Sequence, residues 1–355
     1  MKLVLSLVAV ALATILPLSP ADAADPAVTF KDKTITMIIP STTGGSTDMA
    51  ARLLARFFGS HLPGKPSVVA QNIPGGQGIT ALNYVVQQVK PDGLTLSMAS
   101  SAQVDPLNYR LPQAKYDPVT FEIVGGIGIG NNVMVIRSEA LPRLLDKTKP
   151  PVIMGNVPGI PRTGKRMTIW AAEFLGWNTK WVLGYPGVTD LLVALERGEI
   201  DMTSFPGSYL VDRLTDTAKY KIIYQDGLAP NPTPVGRTEV DNAPMFNAAM
   251  AGKISDPRMQ AAFDYSNATI LFKWMALPPK TPAAIRDTFR ETFLRIADDP
   301  HFKEQAIVAL EGYYTIISPQ ETEATIRRLG QTSQDALDTL NGLMRKHGFT
   351  TAEGR

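Results

Sequence analysis

The sequence predicts an α/β protein of two units, each a mostly parallel sheet flanked by helices. Three observations favour this fold class. The chain has 355 residues, 44% of them hydrophobic, which is enough for about two domains. Short β-branched runs alternate with helices of apolar periodicity, an order typical of parallel strands joined by right-handed crossovers. Glycine-rich loops join strands to helices at the strand ends where such sheets hold ligands.

The composition excludes several classes of chemistry. There is no cysteine, which removes disulfides, thiolate zinc sites, iron–sulfur clusters and cysteine nucleophiles. The three histidines, His61, His301 and His347, are scattered and leave little for a metal site or a catalytic triad. With 35 Lys and Arg against 33 Asp and Glu, the chain has no basic excess for nucleic acid. We therefore expect no metal, no cofactor and no nucleic-acid partner.

Residues 1–23 have the features of a cleavable export signal. Lys2 gives a positive start, Leu3–Leu16 is an uncharged apolar stretch, and Ala21-Asp22-Ala23 has the small-x-small form that signal peptidase accepts. The alternative is a membrane anchor, but the apolar stretch is shorter than the roughly 20 residues that a spanning helix needs. We expect cleavage after Ala23 and a periplasmic mature chain.

In the first unit, three strands, the first of them predicted to be buried, alternate with two helices. Each strand is a short apolar or β-branched run, and each helix carries apolar residues at three-to-four-residue spacing. The turn Pro91-Asp92-Gly93 ends the second helix. In chain order the elements are a strand over Thr34–Pro40, a helix from Asp48 to Phe58, a strand over Ser67–Ala70, a helix over Ile79–Val89 and a strand over Leu94–Met98.

A second unit of the same kind follows. Gly125–Gly130 with Val133–Ile136 predicts a flexible strand that leaves the first unit, and residues 226–257 predict a long irregular connection because they are rich in proline, asparagine and aspartate. Between them we expect strands over Val152–Met154, Trp181–Leu183 and Glu199–Thr203, and helices over Met167–Leu175 and Val188–Arg197. The rest of the chain predicts a strand over Leu271–Leu277 and helices over Pro282–Asp298, His301–Glu311 and Pro319–His347.

Three glycine-rich loops that lead into helices are candidates for binding an anion. They are Thr42–Ser46, Pro74–Gly78 and Gly155–Gly164. A helix N-terminus leaves backbone N–H groups unpaired and carries partial positive charge, and glycine lets a ligand approach the backbone. The alternative for each loop is a tight turn that needs glycine for its own backbone angles. Three such loops on two units favour a ligand site in the cleft between them.

Individual side chains near these loops have competing interpretations. Asp48 is typical of a helix N-cap, and the alternative is that it faces the cleft and accepts a hydrogen bond from a ligand amine or ordered water. Tyr185, in the turn Gly184–Gly187, is a candidate for the cleft because the turn exposes it. The four tryptophans are more typical of a core than of a ligand stack. They are Trp170, Trp177, Trp181 and Trp274.

The segment Gly159–Lys165 matches the GxxxxGK pattern of a phosphate-binding loop but lacks its metal ligand. Arg166 stands where that loop needs Ser or Thr to hold Mg²⁺, and Pro161 removes one of the amides that would bind phosphate. We therefore do not expect nucleotide binding. The cations Arg162, Lys165 and Arg166 are interpreted as a solvated rim, and the alternative is that one of them meets a distal carboxylate of the ligand.

These motifs resemble those of the solute-binding receptors of tripartite tricarboxylate transporters. In that family a strand ends in proline before a GGxxD loop and an AR-containing helix, Asn-x-Pro-Gly opens the second loop, and Pro-Asp-Gly-x-Thr-Leu precedes the third strand. Further matches are Tyr185-Pro186-Gly187, Gly198–Asp201 and Trp274–Pro278, and the likeness extends from about Thr34 to Arg328. The matching N-terminal residues are Pro40, Gly44, Gly45, Asp48, Ala51, Arg52, Asn72, Pro74, Gly75, Gly78, Pro91, Asp92, Gly93, Thr95 and Leu96.

The resemblance implies a two-lobed, type II periplasmic binding protein fold that closes on a small organic carboxylate. Residues 24–130 and 255–355 would form the first lobe and residues 131–254 the second, with a hinge near Gly125–Gly130 and Lys273–Pro278. The implied partners are the membrane subunits of a secondary transporter, and we expect a monomeric receptor that is not an enzyme. The candidate ligand-binding residues are Thr42, Thr43, Gly44, Asp48, Gly75, Gly76, Gln77, Ser100, Ser101, Pro158, Gly159, Thr163, Thr168, Tyr185, Pro186 and Ser204.

The chain departs from the family pattern at positions that bear on the ligand. Ser41 stands where the family usually has an aromatic residue, Gln77 adds an amide to the second loop, and the second-lobe loop contains proline and arginine, with Thr168 as its nearest hydroxyl. A larger or doubly charged ligand would suit those cations. Two alternatives stay open: a receptor for another small anion that feeds an ATP-driven transporter or a sensor kinase, and, more distantly, an exported enzyme acting on a carboxylate.

Overall fold

The computed structural model describes residues 28–128, 131–156, 161, 164–185, 187–207, 214–226, 237–267, 271–310 and 314–349. The predicted export signal lies outside these residues, as do Ile129 and Gly130 of the predicted hinge. In chain order the strands are β1 (Thr34–Ile39), β2 (Ser67–Asn72), β3 (Thr95–Ser100), β4 (Glu122–Gly128), β5 (Asn132–Arg137), β6 (Val152–Asn156), β7 (Thr179–Leu183), β8 (Met202–Pro206), β9 (Tyr220–Gln225), β10 (Lys273–Leu277) and β11 (Thr315–Ile317).

Helices follow most of these strands, and short 3₁₀ turns cover residues 76–78, 101–104, 118–120 and 138–143. Among the described helices, none is both long and apolar enough to cross a bilayer. The helices are α1 (Ser46–His61), α2 (Ile79–Gln88), α3 (Pro106–Tyr109), α4 (Lys165–Phe174), α5 (Val188–Arg197), α6 (Thr238–Asp241), α7 (Phe246–Met250), α8 (Pro257–Asn267), α9 (Ala283–Asp298), α10 (Pro300–Ala309), α11 (Pro319–Gly330) and α12 (Gln334–Lys346).

The first sheet has the strand order β11–β4–β10–β3–β1–β2. β1 pairs in parallel with β2 and β3, as the alternation of strands and helices predicts. β10 lies between β3 and β4 and runs antiparallel to both, and β11 runs antiparallel to β4. The first sheet therefore adds antiparallel strands from the second half of the chain to a parallel group from the first half.

The second sheet has the order β7–β6–β8–β5–β9. β6 pairs in parallel with β7 and β8, whereas β5 runs antiparallel to β8 and β9. Helices flank this sheet as they flank the first. The predicted α/β class with two sheet-and-helix units is thus confirmed.

β1 shows why the first sheet is covered on both faces. Ile35, Met37 and Ile39 are fully buried and belong to a core cluster with α1 and α9, while Ile38, which points to the opposite face, belongs to a second cluster. A strand buried on both faces needs apolar residues at successive positions, and the β-branched run provides them. Trp274 and Met275 on β10 divide between the same two clusters.

The glycines of β4 are required by packing. A Cβ atom on Gly125 would lie 2.2 Å from the ring of Phe293, and one on Gly126 would lie 2.6 Å from the hydroxyl of Thr322. α9 and α11 can therefore approach this strand only because it has no side chain at these two positions. The strand predicted over this segment is confirmed, and Gly125 and Gly126 have a packing role that the sequence interpretation, a flexible strand, did not include.

The chain passes from the first sheet to the second between Gly128 and Asn132, and it returns between β9 and β10. The first passage falls where the hinge was predicted. The second predicted hinge segment, Lys273–Pro278, does not carry a crossing, because β10 lies inside the first sheet with every residue buried. This segment is a core strand.

α8 and α12 pack against α4 of the second unit. Phe263 on α8 meets Trp170 on α4 edge-to-face at 5.2 Å, and Lys346 on α12 pairs with Glu173 on α4 at 2.6 Å. The predicted helix over Pro319–His347 is two helices, α11 and α12, because the side chain of Ser333 caps a new helix. The lobe boundaries at residues 130, 131, 254 and 255 stay a prediction.

Candidate functional site

The carboxyl ends of β1, β2 and β3 meet at one edge of the first sheet. These strands are parallel neighbours in the order β3–β1–β2, so the loops that follow them lie side by side. The edge brings together three of the segments that the sequence singled out. They are Thr42–Asp48, Gly75–Gln77 and Ser100–Ser101.

Asp48 organises the first loop. Its carboxylate is 1% exposed and accepts hydrogen bonds from the backbone N–H of Gly44 at 2.9 Å, from Arg52 Nε at 3.0 Å and from Asn72 Nδ2 at 2.9 Å. Asn72 also donates to the carbonyl of Ser41 at 2.9 Å. The end of β2 is thereby joined to the loop that follows β1.

The N-cap prediction for Asp48 is wrong. The N-cap of α1 is Gly45, without a side-chain hydrogen bond, and Asp48 is the third residue of the helix. Burial alone would raise the pKa of Asp48, but the hydrogen bonds from Arg52, Gly44 and Asn72 outweigh it and hold the pKa below its usual range. The carboxylate is therefore ionised and engaged by protein donors, which favours a positioning role.

The second loop has an unusual backbone. Gly75, Gly76, Gln77 and Gly78 all have positive φ, between 54° and 127°. Gln77 is the only one of the four with a side chain, and such a conformation costs free energy for a residue other than glycine. The carbonyl of Gln77 accepts a hydrogen bond from the Gln103 amide. This contact holds the exposed loop against the turn after β3.

Gln103 also fixes the end of β3. Its side-chain oxygen accepts from the backbone N–H of Ser100 at 2.7 Å and from the Ser100 hydroxyl at 3.0 Å. A Cβ atom on Gly78 would lie 2.3 Å from the Gln103 amide, so glycine is required there. Ser101 is half-buried, and its backbone N–H donates to the carbonyl of Phe272 at 3.1 Å. The second loop and the end of β3 thus form one packed unit.

Lys273 is a buried cation beside the first loop that sequence reasoning missed. It is 3% exposed, and its ammonium donates to Thr47 Oγ1 at 2.7 Å and to Ser46 Oγ at 3.3 Å, in the first turn of α1. A buried lysine is rare unless a negative group or several acceptors compensate it. The lysine belongs to a strand distant in sequence, so only the return of β10 into the first sheet brings it here.

In the second unit, buried hydroxyls surround the start of α4. Thr168 is fully buried and Ser204 is 2% exposed, and neither hydroxyl has a hydrogen-bond partner among the described residues. A Cβ atom on Gly164 would lie 2.2 Å from Ser204 Oγ, so this hydroxyl touches the residue before the helix. Asn156, at the end of β6, is 1% exposed, and its amide also lacks a partner there.

Arg166 is not part of a solvated rim. It is 3% exposed, donates to the carbonyl of Pro161 at 2.9 Å, and pairs with Asp105 at 3.4 Å. The ring of Tyr265 lies 5.3 Å from the guanidinium, and its hydroxyl bonds Asp105. Burial, together with the negative charge of Asp105, raises the pKa of Tyr265, so the phenol stays neutral. Arg166 therefore links the second unit to the segment after β3.

Lys165 differs from Arg166. It is the first residue of α4, it is half-buried, and no described residue pairs with it. Burial lowers the pKa of Lys165 to about 8. The third predicted rim residue, Arg162, is outside the described residues.

The remaining predicted site residues are Tyr185 and four that lie outside the described residues. Tyr185 is half-buried and packs against the core cluster that α5 helps to form, so it does not stand free at its turn. Burial raises its pKa. Whether Tyr185 contacts a ligand stays a prediction. Four predicted residues lie outside the described residues: Pro158, Gly159, Thr163 and Pro186.

A pair of polar residues joins the start of β5 to the end of β9, where the chain enters and leaves the second sheet. Asp226, just after β9, accepts from the backbone N–H of Asn132 at 2.7 Å and from its amide at 2.8 Å. Burial raises the pKa of Asp226 to about 6, although the hydrogen bonds from Asn132 oppose the shift. Across the described part of the chain, no group of acidic and histidine side chains could hold a metal ion.

Comparisons with known proteins find no family model that matches, but they find similar sequences and structures. A "UPF0065 protein in gbd 5'region" from Cupriavidus necator is 39% identical over 93 residues, 25% of this chain and 26% of that protein. Protein BugT from Bordetella pertussis is 40% identical over 74 residues, 21% of this chain and 22% of BugT. Each match thus spans about a quarter of the curated relative.

Solved structures match over far more of the chain. A TctC solute-binding protein from Polaromonas has a TM-score of 0.65 at 18% identity and covers 90% of this chain and 100% of its own. MatC from Rhodopseudomonas palustris, with bound malate, has a TM-score of 0.54 at 18% identity, and the match covers 87% of this chain and 98% of MatC. An adipate-bound protein from R. palustris has a TM-score of 0.55 at 21% identity, and the match covers 85% of this chain and 97% of that protein.

The comparisons agree with the motifs in the first loops. The structural matches extend over both sheets and their helices, and the sequence matches are to UPF0065 and Bug proteins. The resemblance predicted from the sequence is therefore confirmed: this chain has the two-lobed fold of the TctC and Bug solute-binding proteins, and part of its sequence is similar to theirs.

Proposed function

We propose that this chain is a solute-binding receptor that holds a small organic carboxylate in the cleft between its two units and is not an enzyme. One observation carries the proposal. At the edge where β1, β2 and β3 end, the N-terminus of α1 has no side-chain cap, follows the exposed residues Thr42–Gly44, and has the buried ammonium of Lys273 beside it. Unpaired helix N–H groups and a nearby cation together attract a carboxylate.

The ligand contacts follow from this placement. In the first unit, Thr42 and Thr43 are exposed and would offer hydroxyls, and the exposed residues Gly75 and Gly76 of the second loop would offer backbone N–H groups. Asp48 would hold the first loop in place, while its own acceptor atoms are engaged by Gly44, Arg52 and Asn72. In the second unit, Thr168 and Ser204 offer buried hydroxyls without protein partners among the described residues.

The proposed lobes keep the predicted boundaries, with residues 24–130 and 255–355 in one and residues 131–254 in the other. Closure about the first crossing, between Gly128 and Asn132, would bring the two sets of loops around the ligand. Relatives of the same fold have been solved with malate and adipate, which supports a carboxylate as the ligand class. The Asp105–Arg166 contact would be one of those that join the lobes.

The partners and the compartment belong to the same proposal. BugD, a protein of this fold at 19% identity, is a periplasmic binding protein. Together with the sequence features of residues 1–23, this supports an exported, monomeric chain that delivers its ligand to the membrane subunits of a tripartite tricarboxylate-type transporter. We propose no nucleic-acid partner and no cofactor.

Calorimetry and thermal shift on the mature chain, residues 24–355, test the proposal. The panel contains mono-, di- and tricarboxylates and aromatic acids, and NMR of each mixture detects any product. We expect at least one acid to bind and stabilise the chain without being consumed. Turnover of a panel member, or the absence of binding by every acid, would contradict a carboxylate receptor.

A pair of variants locates the site. Thr42→Val removes an exposed hydroxyl from the first loop, and we expect it to weaken binding several-fold while leaving the unfolding temperature near that of the wild type. Thr217→Val, an exposed threonine before β9, is the matched control and should bind as the wild type does. Equal affinity of both variants would place the ligand elsewhere.

A further inference from the structure

Local hydrogen bonds fix Asp105 in the first unit. It directly follows the 3₁₀ turn of residues 101–104 after β3, and as the N-cap of α3 its carboxylate accepts from the backbone N–H of Leu107 at 2.9 Å. Asn108, which is 2% exposed, donates to the carbonyl of Ala102 at 3.0 Å and so ties α3 to that turn. The carboxylate of Asp105 is therefore held in position by its own unit.

Arg166 and Tyr265 approach this carboxylate from the other side. Arg166 is in the first turn of α4, and its guanidinium also donates to the carbonyl of Pro161 at 2.9 Å. Tyr265 is on α8, which packs against α4, and the centre of its ring lies 5.3 Å from the guanidinium carbon. Arg166 pairs with Asp105 at 3.4 Å, and the Tyr265 hydroxyl donates to the same carboxylate. Segments of both units thus converge on one acid.

Burial makes this contact sensitive to the relative position of the units. Arg166 and Tyr265 are buried, and the Asp105 side chain is only 12% exposed. A buried guanidinium is costly unless an anion and hydrogen-bond acceptors compensate it. A displacement of one unit against the other would separate Arg166 from Asp105, while Pro161 would still hold the guanidinium in its own unit. The arrangement in which the three side chains meet is therefore favoured.

We propose that Asp105, Arg166 and Tyr265 form a latch that holds the two units together when no ligand is bound. The latch joins the segment after β3, which contains Ser100 and Ser101, to the first turn of α4. It sets the spacing between the two sides of the cleft in advance, and a form that is already populated does not reduce the apparent affinity for a ligand. The inference concerns the ligand-free chain, so it goes beyond the proposed function and is tested without a ligand.

Distances between two spin labels test the latch, and the absence of cysteine allows both labels to be placed at chosen positions. Gln88→Cys on α2 and Glu196→Cys on α5 put one label on an exposed residue of each unit. The mature chain is refolded from urea to remove any bound acid, and we expect one narrow distance distribution. Asp105→Asn and Tyr265→Phe should each raise the population of a second, separated form about tenfold or more, because each weakens or removes a hydrogen bond to a charged group.

Two controls distinguish movement of the units from a general loss of structure. Gln88→Cys with Glu291→Cys on α9 places both labels in the first unit, and this distance should be the same in every variant. Tyr220→Phe changes a buried tyrosine of the second sheet and should leave the distance between the units unchanged. If Asp105→Asn does not fold, Tyr265→Phe, which removes a single oxygen atom, decides the test. The latch is refuted if the folded variants keep the wild-type distribution, or if the ligand-free wild type populates the separated form as much as they do.

Discussion

Replacing Asp48 by alanine tests whether one buried carboxylate supports the first loop, between β1 and α1. The change removes an acceptor of three hydrogen bonds, from Gly44, Arg52 and Asn72. A buried hydrogen bond to a charged group contributes ~1.5–3 kcal/mol, but Arg52 is 47% exposed, and an exposed ion pair contributes at most ~1 kcal/mol. Because Gly44 is also exposed and can turn to water, we expect Asp48→Ala to lower the free energy of unfolding by ~2–3 kcal/mol.

Urea unfolding of the mature chain at pH 7 measures this change, and calorimetry with a bound acid measures the accompanying loss of affinity. Asp287→Ala is the matched control, because Asp287 pairs with Arg286 at 2.8 Å on the surface and is 50% exposed. We expect the control to cost less than ~1 kcal/mol. If Asp48→Ala costs no more than the control, the carboxylate does not hold the loop and the reasoning is refuted.

The difference in unfolding free energy between the wild type and Asp48→Ala should depend on pH. The pKa of Asp48 is lowered from 3.8 in the folded chain, so its contribution is complete above that pH and is lost as the pH falls through the folded-state pKa. The difference between wild type and Asp48→Ala should therefore shrink in acid. A difference that stays constant down to about pH 2 would show that the ionised form is not the stabilising one.

Three other predictions concern the second unit. The pKa of Asp226 is raised from 3.8 to about 6, so the stabilisation from its protonated form is complete below pH 3.8 and is lost as the pH rises through about 6. In urea titrations, Asp226→Asn should therefore gain stability relative to the wild type over that pH interval. Parallel stability profiles of the two proteins against pH would contradict this prediction. Gly164→Ala should destabilise the chain by ~1–3 kcal/mol and weaken acid binding. Gly342→Ala, in α12, should instead stabilise the chain by ~0.5–1 kcal/mol, because its Cβ atom would meet nothing within 4 Å. Changes of the same sign in the unfolding temperature of both variants would contradict the packing argument. The pKa of Lys165 is about 8, so its ammonium loses its charge as the pH rises through 8. The affinity for dicarboxylates, measured by calorimetry, should fall over that range, and Lys165→Arg should remove the fall. A wild-type affinity that is constant to about pH 9.5 would exclude the ammonium from binding.

Local patterns were sufficient to predict the parallel part of each sheet. β1, α1, β2, α2 and β3 occur where the β-branched runs and apolar spacing place them, because each pattern reports the burial of its own element. The patterns do not report what an element packs against. Gly125 and Gly126 therefore looked flexible, although Phe293 and Thr322 require their small size. β9 and β11 also escaped prediction, since both are defined by pairing with distant strands and β11 has only three residues.

The candidate site was predictable to the same extent. The loops after β1, β2 and β3 were identified because glycine and small polar residues at strand ends have a local cause. Asp48 was identified but misassigned, since α1 begins two residues before it and its partner Asn72 lies at the end of β2. Lys273 and the buried state of Arg166 could not be predicted, because both depend on contacts between segments more than 60 residues apart. A lysine within an otherwise apolar strand, as in Lys273–Leu277, is the signal that could have drawn attention to Lys273.

The position of β10 determines the order in which the two units can be completed. This strand separates β3 from β4, so the first sheet has a gap in its middle until residue 277 has been synthesised, and the long loop closure slows its formation. The second sheet is built from one continuous segment between β5 and β9 and needs no such closure. We therefore expect the second unit to form first on the unfolded chain. The proposed site is then completed only in the last step of folding, when the C-terminal part of the chain inserts its strand and brings Lys273 to the first loop.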